Sequence, residues 1–270
     1  MNELDYSLLD AIKCMGGESE ETKTEREDIS SIGPDSTDIE ILDYIIVFVC
    51  SRIKSVTSYA AKGGYVLMKI IPDLARYSHD IDLSISSGEQ YELVKEVLHE
   101  LGDILKSKDV ISGYEIKETI SPTSSGGIKL MREGNKKDLG IDIGWHDLSY
   151  GIKSWNILNE DFERFTVERM LADKLSAIYS RKRFRRTKDL YDVHIITSSC
   201  TVDADKVREY LERRGIDWDA SPFKDVVIKE YARGYDKLDI TSCNGKLIDK
   251  PDFSVCMKSL ARLVAAIRGE

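Results

Sequence analysis

Residues 80–85 alternate polar and aliphatic, with Ile81, Leu83 and Ile85 on one side and Asp80 and Asp82 on the other. A period of two marks a strand with one buried face. Residues 139–145 repeat the pattern, Ile141 and Ile143 on one face and Asp142 on the other, between Gly140 and Gly144. Strand-like runs also fall at 114–120 and 128–131, with turns predicted at 121–127 and 133–137. Helical spacing governs most of the rest. A short amphipathic helix is expected at 3–15, a long one capped by Ser36 or Thr37 and running to about residue 58, and a third at 91–105. Beyond Gly151 the pattern becomes helical, with helices expected at 166–181, 188–197, 203–214, 222–236 and 253–267. The order of elements predicts an α+β fold, a small mixed sheet covered by helices and followed by a helical C-terminal domain. We place the boundaries at 1–35 for a lead segment, 36–155 for the sheet domain and 156–270 for the helical domain. No internal repeat is present.

The acids carry the first chemical signal. Side chains at i and i+2 of a strand share a face, so Asp80 and Asp82 lie side by side and repel unless a cation neutralises them or water solvates them. A solvent-facing strand end and a Mg²⁺ site are both consistent with the pair alone. Upstream, Gly63 and Gly64 open a short apolar helix at 65–71, where backbone N–H groups and the helix dipole favour an anion such as phosphate. Arg76 and Ser78 stand between the glycines and the acids. Asp142 supplies a third strand-borne carboxylate, the number that two-metal nucleotidyl transfer requires. Further along, Thr166 can cap a helix whose apolar stripe is Val167, Met170, Leu171, Leu175 and Ile178. Lys174 falls within that stripe. It either snorkels to the rim or points into a cleft toward phosphates or carboxylates. Arg181 lies two turns on. Asp189 and Asp192, three apart on a probable helix, form a further acid pair that by itself reads as a helix cap or as salt-bridge partners of the arginines before it.

Taken together, these residues resemble the AbiEii/AbiGii-type nucleotidyltransferase toxins of abortive infection. The likeness rests on two ordered blocks. One is Lys62-Gly63-Gly64 with Arg76-Tyr77-Ser78-His79-Asp80-Ile81-Asp82-Leu83. The other is Phe165 to Leu175, followed by Ala177, Arg181 and Asp189-Leu190-Tyr191-Asp192. Tyr65, Asp173 and Lys188 depart from the family's usual residues. The resemblance implies a DNA-polymerase-β-like nucleotidyltransferase core and a type IV toxin–antitoxin role. It implies Asp80, Asp82 and Asp142 as ligands of a two-metal Mg²⁺ site, and an NTP substrate on Gly63, Gly64, Ser78 and Arg76. It adds Lys174 and Asp189 as second-motif catalytic residues, supported by Arg181. A cognate antitoxin is expected, and the acceptor expected from relatives is the 3′ end of tRNA.

Charge refines the picture. Residues 1–40 hold twelve acids and three bases, which accounts for the whole net charge of −9 and leaves the body balanced. The acidic lead is expected to be solvated, or to mask a basic site or meet an antitoxin. Six bases crowd into 181–188, a run that either is solvated or takes the phosphates of an RNA acceptor. The longest apolar run, 45–50, is too short for a bilayer. No secretory signal is read at the start, and five scattered cysteines fit reduced thiols in a cytoplasm. His79 is turned from the acids by alternation and reads as structural or rim-facing. Two rival readings remain: the same fold acting on a protein or small molecule, and a nucleotide-binding module without catalysis.

Overall fold

The computed structural model describes residues 32–117, 125–134, 137–179, 186–216, 228–242 and 246–270. The expected 3–15 helix, most of the acidic lead, Arg181 and most of the 181–188 run lie outside the described residues. The first described helix, α1 (Asp38–Ile53), starts at a capping box. Glu40 N–H donates to Thr37 Oγ1 at 3.3 Å, and Thr37 N–H donates to Glu40 Oε2 at 2.7 Å. Two orphan N–H groups are thereby satisfied, and the helix buries Ile41, Leu42, Ile45, Ile46 and Val49. β1 (Tyr59–Lys62) leads through the double glycine into α2 (Gly63–Ile70), then β2 (Asp80–Ile85) and the amphipathic α3 (Tyr91–Ser107). β3 (Gly113–Lys117), β4 (Gly126–Met131) and β5 (Leu139–Trp145) follow.

Among the described residues, seven strands form one sheet in the order β3-β4-β5-β2-β1-β7-β6, where β6 is Ile152–Ile157 and β7 is Glu160–Phe165. β2 runs parallel to β5 and antiparallel to β1, giving the mixed sheet that the order of elements predicted. Ile81, Leu83, Ile85, Ile141 and Ile143 are fully buried, together with Ile128 and Leu130 of β4 and the apolar faces of α1 and α3. At roughly 1.5–3 kcal/mol for each buried aliphatic side chain, this core fixes the register. A one-residue slip would exchange the isoleucines with the aspartates.

The helices expected at 166–181, 188–197, 203–214, 222–236 and 253–267 are found as α4 (Val167–Tyr179), α5 (Thr187–Ser199), α6 (Ala204–Arg213), α7 (Ile228–Asp236) and α8 (Phe253–Arg268). They pack on one another: α4 against α5 and α6, and α8 against α5, α6 and α7. The change from strand to helix comes at Thr166 rather than at 155, which falls inside β6. The β6–β7 hairpin is hard to read because its tight turn uses Leu158 and Asn159, both at positive φ (52° and 63°), in place of an Asn-Gly pair. Its strands also bury only Ile157, Phe162 and Phe165, and β7 joins the sheet by pairing Arg164 with Ala61 of β1. The predicted turn at 121–127 is shortened as well, since Gly126 and Gly127 belong to β4. No helix among the described residues is long and apolar enough to cross a membrane, and Cys50, Cys200 and Cys256 are free thiols.

Candidate active site

Parallel pairing of β2 with β5 sets Asp82 directly opposite Asp142, and Asp80 opposite Gly140. The three carboxylates lie on the sheet face away from the isoleucines and line one cleft of about 340 Å³, closed from the other side by α4 and α5. Burial pushes the Asp80 carboxyl above its usual range, and repulsion from Asp142 adds to this against the pull of Lys117. Asp82 is raised too, first by burial, with Asp142 adding and Lys62 and Lys174 opposing. Carboxylates that resist ionising next to one another are what a hard divalent cation relieves. As they stand, no three acidic, histidine or cysteine side chains among the described residues form a metal-holding group, and Lys117 pairs directly with Asp142. The donor set of three carboxylates on adjacent strands nevertheless suits Mg²⁺ chemically.

The glycines occupy the next position along the cleft. Gly63 has φ +76°, and a Cβ there would stand 1.9 Å from Asp82 Oδ2. A Cβ on Gly64 would fall 2.7 Å from Ser78 Oγ. The turn therefore brings backbone against the acids as no larger residue could. No side chain caps α2, so its first N–H groups face the cleft without a side-chain acceptor. Ser78 Oγ donates to the Asp80 carbonyl at 3.1 Å, tying the turn's wall to β2. Gly63→Ala should lose transfer activity at least tenfold and stability by about 1–2 kcal/mol, read from initial rates and urea unfolding. A variant as active as the parent would mean that the close approach has no role.

Lys174 does not snorkel. It is 8% exposed, and its Nζ donates to Asp189 Oδ1 at 2.8 Å and Asp192 Oδ2 at 2.6 Å. Arg76 donates in parallel from Nε and a terminal nitrogen to the two oxygens of Asp192, at 3.0 and 3.1 Å. This fork is the strong geometry for a guanidinium and a carboxylate. The Arg76 charge is thus engaged by Asp192 at the cleft wall, where sequence reasoning expected it beside phosphate. Asp192, fully buried, was the residue that reasoning underrated. Its signal was the three-residue spacing from Asp189, which puts both acids on one helical face. Burial alone would raise Asp192, but Arg76 and Lys174 hold it below the usual carboxylate range. Lys174 is depressed by burial and raised by Asp192 and Asp189, ending above its ordinary value.

A chain of groups on β1, β2 and the end of β5 was not legible in the sequence. Lys62 Nζ lies 3.1 Å from His146 Nε2, whose Nδ1 is 3.0 Å from Ser84 Oγ. Burial, then the Lys62 charge, pushes His146 down to about 4, so the imidazole is neutral at pH 7 and accepts from Lys62. Lys62 also stands 3.8 Å from Asp173 of α4. This places an ammonium beside Asp82, its antiparallel partner. The sequence holds Lys62 in a recognisable block, but its link to a histidine 84 residues away needs the fold.

The family profile described as nucleotidyl transferase AbiEii toxin, type IV toxin–antitoxin system, matches residues 57–265. Among solved structures, MenT4, a nucleotidyltransferase toxin from Mycobacterium tuberculosis H37Rv, superposes with a TM-score of 0.52 at 16% identity, covering 86% of this chain and 85% of its own. JHP933 from Helicobacter pylori gives 0.50 at 17% identity, covering 87% and 93%. At such identities the likeness shows the fold. No curated protein matches the sequence.

Proposed function

The chain belongs to the AbiEii nucleotidyl transferase toxin family of type IV toxin–antitoxin systems, and from that premise we propose that it transfers NMP from an NTP to the 3′ end of an RNA, foremost tRNA. The in-register placement of Asp82 and Asp142, with Asp80 on the same face and beside the glycine turn, carries this reading. Asp80, Asp82 and Asp142 would hold Mg²⁺. When bound, the metal offsets phosphate charge and lowers the pKa of the attacking hydroxyl.

The chain's own groups do the rest. The N–H groups at Gly63, Gly64 and the start of α2, with Ser78 beside them, take the triphosphate. Lys62, held by neutral His146, places a positive charge next to Asp82. Asp142 accepts the proton of the acceptor hydroxyl as its oxygen bonds to the α-phosphorus and pyrophosphate leaves. Lys174, Asp189, Asp192 and Arg76 form a buried frame that locks α4 and α5 against the cleft and fixes its charge. Arg181 is proposed as a further phosphate contact. In the cell such transfer would stop translation in the cytoplasm, as part of phage defence, until a cognate antitoxin silences it.

Incubation with each labelled NTP, Mg²⁺ and total bacterial RNA tests this. Label should enter the tRNA band and vanish in the Asp80→Ala, Asp82→Ala protein. Label entering protein or a small molecule instead would replace the acceptor. NTP binding without transfer or metal dependence would leave a binding module.

A further inference from the structure

A second cavity of about 670 Å³ opens beside the nucleotide cleft and shares Arg76, Ser78, Asp80 and Lys188 with it. It runs away from the glycine turn, over the start of β5 and across β4 to Lys117 at the end of β3, and is bounded by Leu238 to Thr241. Its position follows from strand order. β1 and its glycines lie on one side of β2, whereas β5, β4 and β3 lie on the other. In phosphoryl transfer the attacking and leaving oxygens are roughly in line across phosphorus. A triphosphate on the glycine turn sends pyrophosphate to the β1 side, so the attacking hydroxyl must arrive from the side of this cavity.

The lining matches a polyanion that carries bases. Lys117, Lys129, Lys137 and Lys188 all reach it, against the acids Asp80, Asp138 and Asp239. Lys129 is held by Asp138 at 3.0 Å, and Lys117 by Asp142. Lys137 and Lys188 are exposed. Tyr77 and His79 stand edge to face at 4.6 Å in the same wall, and His79 Nδ1 is buried without a hydrogen-bond partner. His79 lines this chamber together with Asp80 and does not reach the nucleotide cleft. Aromatic walls next to lysines are how unpaired bases and their phosphates are held together, which a duplex cannot exploit because its bases are already stacked.

Resting on the RNA-acceptor reading above, we infer that this cavity is the acceptor subsite and takes the single-stranded 3′ end of a nucleic acid. Phosphates lie on Lys129, Lys137 and Lys188, a base lies against the Tyr77–His79 pair, and the terminal hydroxyl is delivered at Asp80 and Asp142. The strand therefore follows the β3–β4–β5 side of the molecule, and the 181–188 run contributes through Lys188, which faces both chambers.

The test uses full-length Lys129→Gln/Lys137→Gln and His79→Ala proteins, neither altering a residue of the nucleotide cleft. Affinity for a fluorescein-labelled single-stranded oligoribonucleotide with a free 3′ hydroxyl is measured across a KCl series, alongside NTP affinity and melting temperature. The double variant should bind RNA about tenfold more weakly at about 0.15 M salt. Its log K against log salt should be shallower by about 1.4, from ~0.7 for each phosphate that the two lysines no longer neutralise. NTP affinity and melting should match the parent, and Lys129→Arg/Lys137→Arg should restore RNA binding. His79→Ala should weaken RNA affinity and leave the salt slope unchanged. Parental RNA affinity and slope in the double variant would overturn the subsite while leaving the RNA reading intact. A parent protein that neither binds nor labels RNA would remove that reading, and the subsite with it.

Discussion

Asp82→Asn should cut nucleotidyl transfer by at least about a thousandfold while melting no lower than the parent protein in the absence of metal. The rate loss corresponds to about 4 kcal/mol of transition-state stabilisation, at about 1.36 kcal/mol per factor of ten. It arises because the amide cannot supply the negative oxygen that a divalent cation needs. The stability result follows from the same residue. Burial and Asp142 raise the Asp82 carboxyl despite Lys62 and Lys174. A carboxyl whose folded pKa is raised contributes stability that is fully present below its ordinary value of 3.8 and is lost as pH rises through the raised value. At pH 7 the parent therefore carries that penalty and Asn does not. Mg²⁺ should reverse the ranking. A cation at about a hundred times its dissociation constant stabilises the native state by about 2.7 kcal/mol, and most of that gain should disappear in Asp82→Asn. Transfer at the parental rate, or an equal Mg²⁺ shift in both proteins, would remove Asp82 from the site.

Lys174→Met should destabilise the protein by about 3–5 kcal/mol, the usual cost of removing one partner from a buried ion cluster. Asp189 and Asp192 share that ammonium at 2.8 and 2.6 Å; Arg76 is committed to Asp192, and Arg186 stands only at 3.7 Å from Asp189, so neither replaces the buried ammonium. Adding Asp192→Asn should recover part of the loss, because it removes a charge left unpaired. The two are in contact, so their effects should not add. The parent's pH profile has two limbs. Asp192 is held below its ordinary pKa, so its contribution is present above 3.8 and is lost as pH falls through the lowered value. Lys174 is held above 10.5, so its contribution is present below 10.5 and is lost as pH rises through the raised value. With Lys174 gone, the acid limb should move to higher pH in urea unfolding followed by circular dichroism. An unchanged midpoint would mean that the cluster is no frame for α4 and α5. Loss of activity is expected as well, since both helices wall the cleft.

Much of this was legible because it is local. The period of two at 80–85 and 139–145 places three aspartates opposite a buried aliphatic face, whatever the rest of the chain does. The helices after Thr166 follow from spacing and caps within a few residues. Where signals were non-local or atypical, the reading fell short. The hairpin of β6 and β7 turns on Leu158 and Asn159, which carry no standard turn signature, and it joins the sheet through β1, far earlier in the chain. Asp192 read as a helix cap or an arginine partner because one sequence cannot show which helix covers it.

By itself the sequence determined the α+β order, the carboxylate face, the glycine turn and the two blocks that mark the family. Alternation, capping and backbone permissiveness act over a few residues, so neighbours in the chain suffice to specify them. Only the tertiary structure decided that Asp82 meets Asp142, that Lys174 and Arg76 converge on Asp192, that Lys62 rests on His146, and that His79 faces a second chamber. These pairings bridge separations of up to 116 positions, that between Arg76 and Asp192. Strand register and helix packing select such pairs, and both are set by burial of the whole core.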